Sequence, residues 1–340
     1  MLTHRIKLNH IVLLLAALVL SLLASTVFAG AQAIRGFALT VANLDSSVAF
    51  YEQALGFAKV GERITVDRNN DYLTGVFGTR VRSATLQLGD ERIELEQYLA
   101  PGGAPIPLDS RSNDLWFQHF AVVVSDMDQA YEHLRPFGLR SISSAPQTIP
   151  ESNRVAAGIK AYKFRDPDGH PLELLWFPDG KGRAKWHTAG TALFLGIDHS
   201  AIGISSPERS TAFYRDWIGL SVAGGTVNSG ATQEQLDNAF GAVVRITGLR
   251  PARDDSPGLE FLQYVTPSGG RSAPIASRPN DLALTRTVIE VDDLTGLAAT
   301  LQNNGVTFLS PEIVSVAGAP WSKGLMVKDP DGHAVLLVER

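Results

Sequence analysis

Two glutamates stand in runs that otherwise read as buried strands. Glu94 lies in "RIELEQYLAP" and Glu173 in "HPLELLWF", and a histidine, His119, opens the apolar run "HFAVVVSD". An ionised carboxylate in such a run loses solvation that only pairing, hydrogen bonding or metal coordination can offset. Strand alternation puts Glu94 and Glu96 on one face of their strand and turns Glu173 away from Leu172 and Leu174. Imidazole nitrogen with carboxylate oxygen suits divalent zinc, nickel, manganese or iron, and a carboxylate so placed can also move a proton as general acid or base. The alternative is a metal-free pocket in which Glu94 and Glu173 accept hydrogen bonds from His119 or a nearby arginine.

The elements that position these residues come in repeats. "AFYEQALGF" (49–57) answers "AFYRDWIGL" (212–220), and "DPDGH" at 166–170 answers "DPDGH" at 329–333, both 163 residues apart. "RIELEQYLAP" (92–101) answers "GLEFLQYVTP" (258–267), and "SRSNDLWFQH" (110–119) answers "SRPNDLALTR" (277–286), at slightly larger offsets. Each half reads as two strand-helix-strand-strand-strand units. Leu44, Val48, Tyr51 and Leu55 fall at helical spacing before Gly56. Asp126 with Gln129 makes a capping box ahead of Met127, Tyr131 and Leu134. Ser206-Pro207 opens a third helix, and Leu294, Leu297 and Leu301 mark a fourth. The Asp-Pro-Asp-Gly turns suit tight hairpins, so His170 and His333 read as turn or rim residues and not as ligands.

The chain has 340 residues, 44% of them hydrophobic, with a formal charge of -5 and no cysteine. That is enough for two domains with buried cores. The acidic balance and the lack of a basic stripe argue against nucleic acid, and the absence of cysteine removes disulfides, zinc-thiolate sites and thiol nucleophiles. Arg5 and Lys7 precede the apolar run 11–28, so residues 1–29 read as a signal peptide, cut after Ala29 or as late as Ala33. Export places the protein in the periplasm or outside the cell; uncleaved, the same segment is a membrane anchor. No Gly-x-Ser-x-Gly elbow, phosphate loop or His-Glu-x-x-His helix is present.

"LTVANLDSSVAFYEQALGF", "QHFAVVVSDMDQA", "FRDPDGHPLEL" and "VKDPDGHAVLL" together resemble the vicinal oxygen chelate superfamily of glyoxalases, bleomycin resistance proteins and extradiol dioxygenases, over residues 34–340. The resemblance implies an α+β fold of four βαβββ modules paired into two half-open barrels. The first barrel is expected from residues 34–177 (modules 34–101 and 115–177) and the second from 193–340 (modules 193–267 and 282–340), with a linker at 178–192. Metal-binding members take one ligand from the first and one from the last strand of each of two modules. The matching positions are Gly36, Glu94, His119 and Glu173 in the first half and His199, Glu260, Arg286 and Leu336 in the second. The expected centre is therefore Glu94, His119 and Glu173, with Glu94 and Glu173 as the catalytic carboxylates.

His199, Glu260 and Arg286 then form a vestigial second site, because Arg286 adds a fixed cation and Leu336 has no donor atom; Arg286 is expected to pair with Glu260. Tyr72, Phe77, Arg82, Trp116, Phe117 and Gln118 are candidates for contact with a substrate, although Phe77 and Arg82 recur as Phe240 and Arg245 and so suit the scaffold. The implied function is metal-dependent lyase or isomerase chemistry on a small vicinal-oxygen compound. The alternatives are a metal-free binding protein of the bleomycin-resistance kind or an inert scaffold, while a dioxygenase is disfavoured because only His199 of its triad is kept.

Overall fold

The computed structural model describes residues 30–340 apart from 189, 274–276 and 316–319. The expected export signal at 1–29 lies outside the described residues. The first module supplies β1 (Ala31–Thr40), β2 (Ala58–Thr65), β3 (Arg80–Leu88) and β4 (Glu91–Ala100). The second supplies β5 (Gln118–Val124), the short β6 (Arg140–Ser141) and β7 (Gln147–Thr148), then β8 (Lys160–Arg165) and β9 (Pro171–Trp176). The third has β10 (Phe194–Gly203), β11 (Ser221–Ser229), β12 (Val243–Arg250) and β13 (Gly258–Thr266). The fourth has β14 (Arg286–Val291), β15 (Thr307–Phe308), β16 (Val314–Ser315), β17 (Lys323–Lys328) and β18 (Ala334–Glu339). A cut after Ala33 would remove the first three residues of β1, where Ala31 pairs with Val291, whereas a cut after Ala29 leaves the strand whole.

The modules do not pair as the halves of the sequence suggest. One sheet runs β15-β17-β18-β14-β1-β4-β3-β2 and the other β11-β12-β13-β10-β5-β9-β8-β6. Module one is thus joined to module four, through antiparallel β1 and β14, and module two to module three, through antiparallel β5 and β10. The expectation of one barrel from 34–177 and another from 193–340 is corrected accordingly. Internal repetition shows which modules are copies, but the partner of a strand edge is chosen by non-local packing.

The stretch 178–192 is not a loose linker either. Its turn Ala184–His187 buries Trp186, whose indole N–H donates to Asp198 at 3.1 Å, and Lys185 pairs with Glu91 of the other sheet.

Each helix lies outside its sheet for the reason its sequence gives. Leu44–Leu55 buries Leu44, Val48, Tyr51 and Leu55; Asn43 accepts from the Ser46 N–H, and Gly56 closes the helix at φ 72°. Deleting such a cap costs about 1 kcal/mol. Met127–Leu134 begins at Asp126, which accepts both the backbone and the side-chain N–H of Gln129 at 2.9 Å. Ser206 caps Pro207–Thr211, and Leu294–Asn303 buries Leu294, Leu297 and Leu301. One apolar cluster unites the helices Leu44–Leu55, Met127–Leu134 and Leu294–Asn303 and the turn Ala212–Trp217 with β1, β5, β10 and β14, and Phe37 of one sheet stacks on Phe120 of the other at 6.1 Å. Burying each large side chain is worth about 1.5–3 kcal/mol, so the shared core fixes the concave faces of both sheets.

The two Asp-Pro-Asp-Gly-His turns tie modules together. Asp166 accepts from the Asp168 and His170 backbone N–H groups, from Tyr51 Oη at 3.0 Å and from His170 Nδ1 at 2.8 Å, while His170 Nε2 donates to the Leu282 carbonyl at 3.0 Å. Tyr214, Asp329 and His333 repeat the arrangement, with His333 Nε2 2.8 Å from the Gly203 carbonyl. Both histidines are buried fasteners, not rim residues.

Candidate metal centre

Four strands at the middle of one sheet, in the order β13-β10-β5-β9, gather the chemistry. In β5 and β10, His119 faces Ala201 across the ladder and His199 faces Ala121. The parallel flanks then set Glu173 beside Ala121 and Glu260 beside Ala201. Two histidines from first strands and two glutamates from last strands therefore point into one concave face, related by an approximate twofold between modules two and three.

The side chains converge. His119 Nε2 lies 3.3 Å from Glu173 Oε2, and His199 Nε2 lies 3.9 Å from the same oxygen and 3.4 Å from Glu260 Oε2. One ligand atom from each of His119, Glu173 and His199 falls within 4.8 Å of the others. His119 is buried, yet neither of its ring nitrogens has a hydrogen-bond partner among the described residues. Buried polar atoms are rarely left so, and a divalent cation held by imidazole and carboxylate supplies the missing partner. The donor set thus fits such a metal.

Behind the set, Asp198 accepts from His199 Nδ1 at 3.1 Å and is itself held by Trp186 and Arg250. A carboxylate behind a histidine fixes the ring and its tautomer for coordination.

The electrostatics divide the two glutamates. Burial would raise the Glu173 carboxyl, but His119, Lys163 and His199 outweigh it and bring it to about 2. Burial is the main influence on Glu260 and raises it. Glu260 also keeps 30% of its side chain exposed against 7% for Glu173. Burial lowers His119, whereas for His199 the burial effect is overcome by Glu260, Asp198 and Glu173, which lift it to about 9.

Lys163 completes the wall: its ammonium is 2.7 Å from Asp237 and 3.9 Å from Glu173 Oε1, and Asp237 also accepts from Gln233 and Tyr264. A cavity of about 300 Å³ opens over these groups, lined further by Ile149, Val155 and Leu175. Asn153, in the loop above it, bonds Asn228 at 2.6 Å and Thr226 at 3.0 Å.

The sequence-derived site changes as follows. His119 and Glu173 belong to the centre, but Glu94 does not: it lies in the other sheet and pairs with Arg63. The supposed vestigial set is split. His199 and Glu260 join His119 and Glu173, while Arg286 sits in the other sheet and binds Glu96 at 2.5 Å, not Glu260.

None of Tyr72, Phe77, Arg82, Trp116, Phe117 and Gln118 lines the cavity. Arg82 bonds Asp45 and Glu62 at the surface, and Gln118 bridges the sheets through Ser200 and Thr287. Sequence reasoning missed Lys163 and Asp237. A lysine within the strand "KAYKFR", where the repeat has Met326, was the available signal.

A sequence profile of the glyoxalase/bleomycin resistance protein/dioxygenase superfamily matches residues 33–174 and again 196–337. The chain belongs to this superfamily. It is 32% identical over 157 residues to a 2-epi-5-epi-valiolone epimerase from an Actinomyces species, a match covering 44% of this chain and 82% of the relative. A variant of glyoxalase I from Zea mays superimposes with a TM-score of 0.61 at 18% identity, covering 90% of this chain and 92% of that one. A putative dioxygenase from Bacillus subtilis gives 0.54 at 14% identity, covering 92% and 86%. At those identities the structural likeness shows the fold.

Proposed function

We propose that the protein is a metal-dependent isomerase of epimerase type acting on a small polyoxygenated ketone or aldehyde. The convergence of His119, Glu173 and His199, with Glu260 beside His199 and no hydrogen bond to either His119 ring nitrogen among the described residues, is the observation that carries this reading. A divalent metal bound by His119, Glu173 and His199 would act as a Lewis acid on vicinal oxygens and acidify the adjacent C–H, with Glu260 beside it as a carboxylate free to move a proton.

The chain's own residues supply the rest. Glu260, the more exposed carboxylate, takes the proton from the carbon beside the carbonyl. Glu173 stands on the opposite flank of the site and stays ionised, with the Lys163 ammonium 3.9 Å from it to provide a proton for return from the other face, after which Glu260 gives its proton to water and Lys163 takes one from it. Opposed flanks suit inversion at one carbon. The cavity's modest volume and its apolar side favour a compact ring or short chain over a bulky conjugate.

The named relative is an epimerase, which supports the same reaction class. The features that favoured metal-free binding, Gly36 and Leu336, both lie in the other sheet. We also read residues 1–29 as an export signal, so a thiol or CoA conjugate is a poor substrate candidate; uncleaved, that segment would anchor the protein to a membrane.

Incubation of metal-loaded protein in D2O with 2-epi-5-epi-valiolone and with simple hydroxyketones tests the proposal. Deuterium should enter the carbon beside the carbonyl, and Glu260→Gln should abolish the exchange. Metal binding without exchange on any of these ketones would overturn the epimerase reading.

A further inference from the structure

The sheet formed by modules one and four has its own cavity, of about 510 Å³, at the place equivalent to the metal centre. It has reversed its charge. By register, Arg35 occupies the position of Asp198, Gly36 that of His199, Arg92 that of Gly258 and Arg63 that of Thr226. Arg286 takes the position of His119 and Leu336 that of Glu173, which leaves no ligand pair for a cation.

Glu94 and Glu290 are already matched, and exposed Asp90 shares Lys185 with Glu91. Asp90 lies 3.6 Å from Lys185, Glu94 pairs with Arg63, and Glu290 pairs with Arg35 at 2.5 Å and Arg340 at 3.2 Å. Arg92 has only the neutral Gln87 amide oxygen as a side-chain partner among the described residues. Two wall donors, Arg35 Nη2 and Trp321 Nε1, are buried without an acceptor among the described residues. Donors therefore exceed acceptors. The opposite wall is apolar, where Val288 and Trp321 pack with Met326 and Leu336.

We propose that this second cavity binds a small organic carboxylate with an apolar or planar body. Its carboxylate meets Arg92 and Arg63 at the mouth, through the charge-assisted bonds guanidinium makes with carboxylate, and its body lies against Val288 and Trp321. The site rests on this cavity alone and is independent of the metal reading.

Benzoate is a suitable probe, with benzyl alcohol as the neutral body and acetate as the charge without a body, each titrated into the full chain by calorimetry. Benzoate should give saturable heat with the wild type and with Glu173→Ala. Affinity should fall at least about tenfold in Arg92→Gln and in Trp321→Ala, and neither control ligand should match benzoate. Arg92 is exposed, so its variant tests the cation without disturbing the core. Absence of saturable heat, wild-type affinity in both Arg92→Gln and Trp321→Ala, or loss of binding in Glu173→Ala with retention in Arg92→Gln would overturn the proposal.

Discussion

The two sheets present the same four positions and fill them differently. In the sheet of modules two and three they hold His199, His119, Glu260 and Glu173; in that of modules one and four they hold Gly36, Arg286, Glu94 and Leu336. The first set leaves a histidine without a hydrogen bond among the described residues and a glutamate open to a cavity. In the second, Arg286 pairs with Glu96 and Arg63 with Glu94, and Leu336 lies in an apolar cluster.

Backbone reinforces the divergence. Gly36 has φ 143°, and a Cβ there would lie 2.3 Å from the Arg92 carbonyl oxygen, so histidine cannot return to that position unaided. Duplication supplied two equal frames, and only the inner pair of modules kept a donor set for a cation.

Substitutions at equivalent positions should separate the two frames. The largest effect is expected at the centre: His119→Ala or Glu173→Ala should weaken metal binding by more than about 100-fold, exceeding the 10–100-fold typical of residues behind the ligands. Arg286→Ala, at the position equivalent to His119, should leave metal stoichiometry unchanged in dialysed protein assayed by elemental analysis.

Stability should respond the other way. Arg286→Met strands Glu96 in the interior and should cost about 3–5 kcal/mol in urea unfolding. Adding Glu96→Leu, which copies Leu262 at the equivalent place, should recover most of it. Recovery of nothing by the double variant would mean that Arg286 acts through packing alone.

Asp198→Asn should lower metal affinity by about 10–100-fold while leaving the fold intact, because it loosens the His199 ring and removes no ligand. Competition with a chelator of known affinity measures this. An unchanged affinity would show that the Asp198 contact is not carried into the metal-bound protein.

The smallest effect concerns the fasteners. Burial disfavours charged His170, but Asp166 outweighs it and raises the histidine, and both ring nitrogens face acceptors. A raised histidine stabilises the fold fully below its unfolded value of about 6.5 and loses that contribution as pH rises through the folded value. Urea midpoints should therefore fall between pH 6 and pH 9 in the wild type, and by less in His170→Gln.

Much of this was legible in the residues. Leu44, Val48, Tyr51 and Leu55 marked a helix by spacing alone, and Asn43 and Gly56 bound it as expected of a polar cap and a left-handed glycine. The glutamates in apolar strands marked both barrel interiors. What the residues did not disclose was the pairing of modules.

Strand partners more than 150 residues apart in β1 and β14 are chosen by the common core and not by local pattern. One consequence is that His119, Glu94 and Glu173 read as one centre and His199 with Glu260 as a vestige, when the two halves each held part of one site. Asp237 stayed hidden for a similar reason, since its role shows only beside Lys163.

Metal content of His199→Ala beside Glu94→Ala, both purified without chelator, tests the central claim most directly. We expect about one equivalent of divalent metal in the wild type and in Glu94→Ala, and loss of it in His199→Ala. Metal retained by His199→Ala and lost by Glu94→Ala would place the centre within the first half of the chain and contradict a site shared by modules two and three.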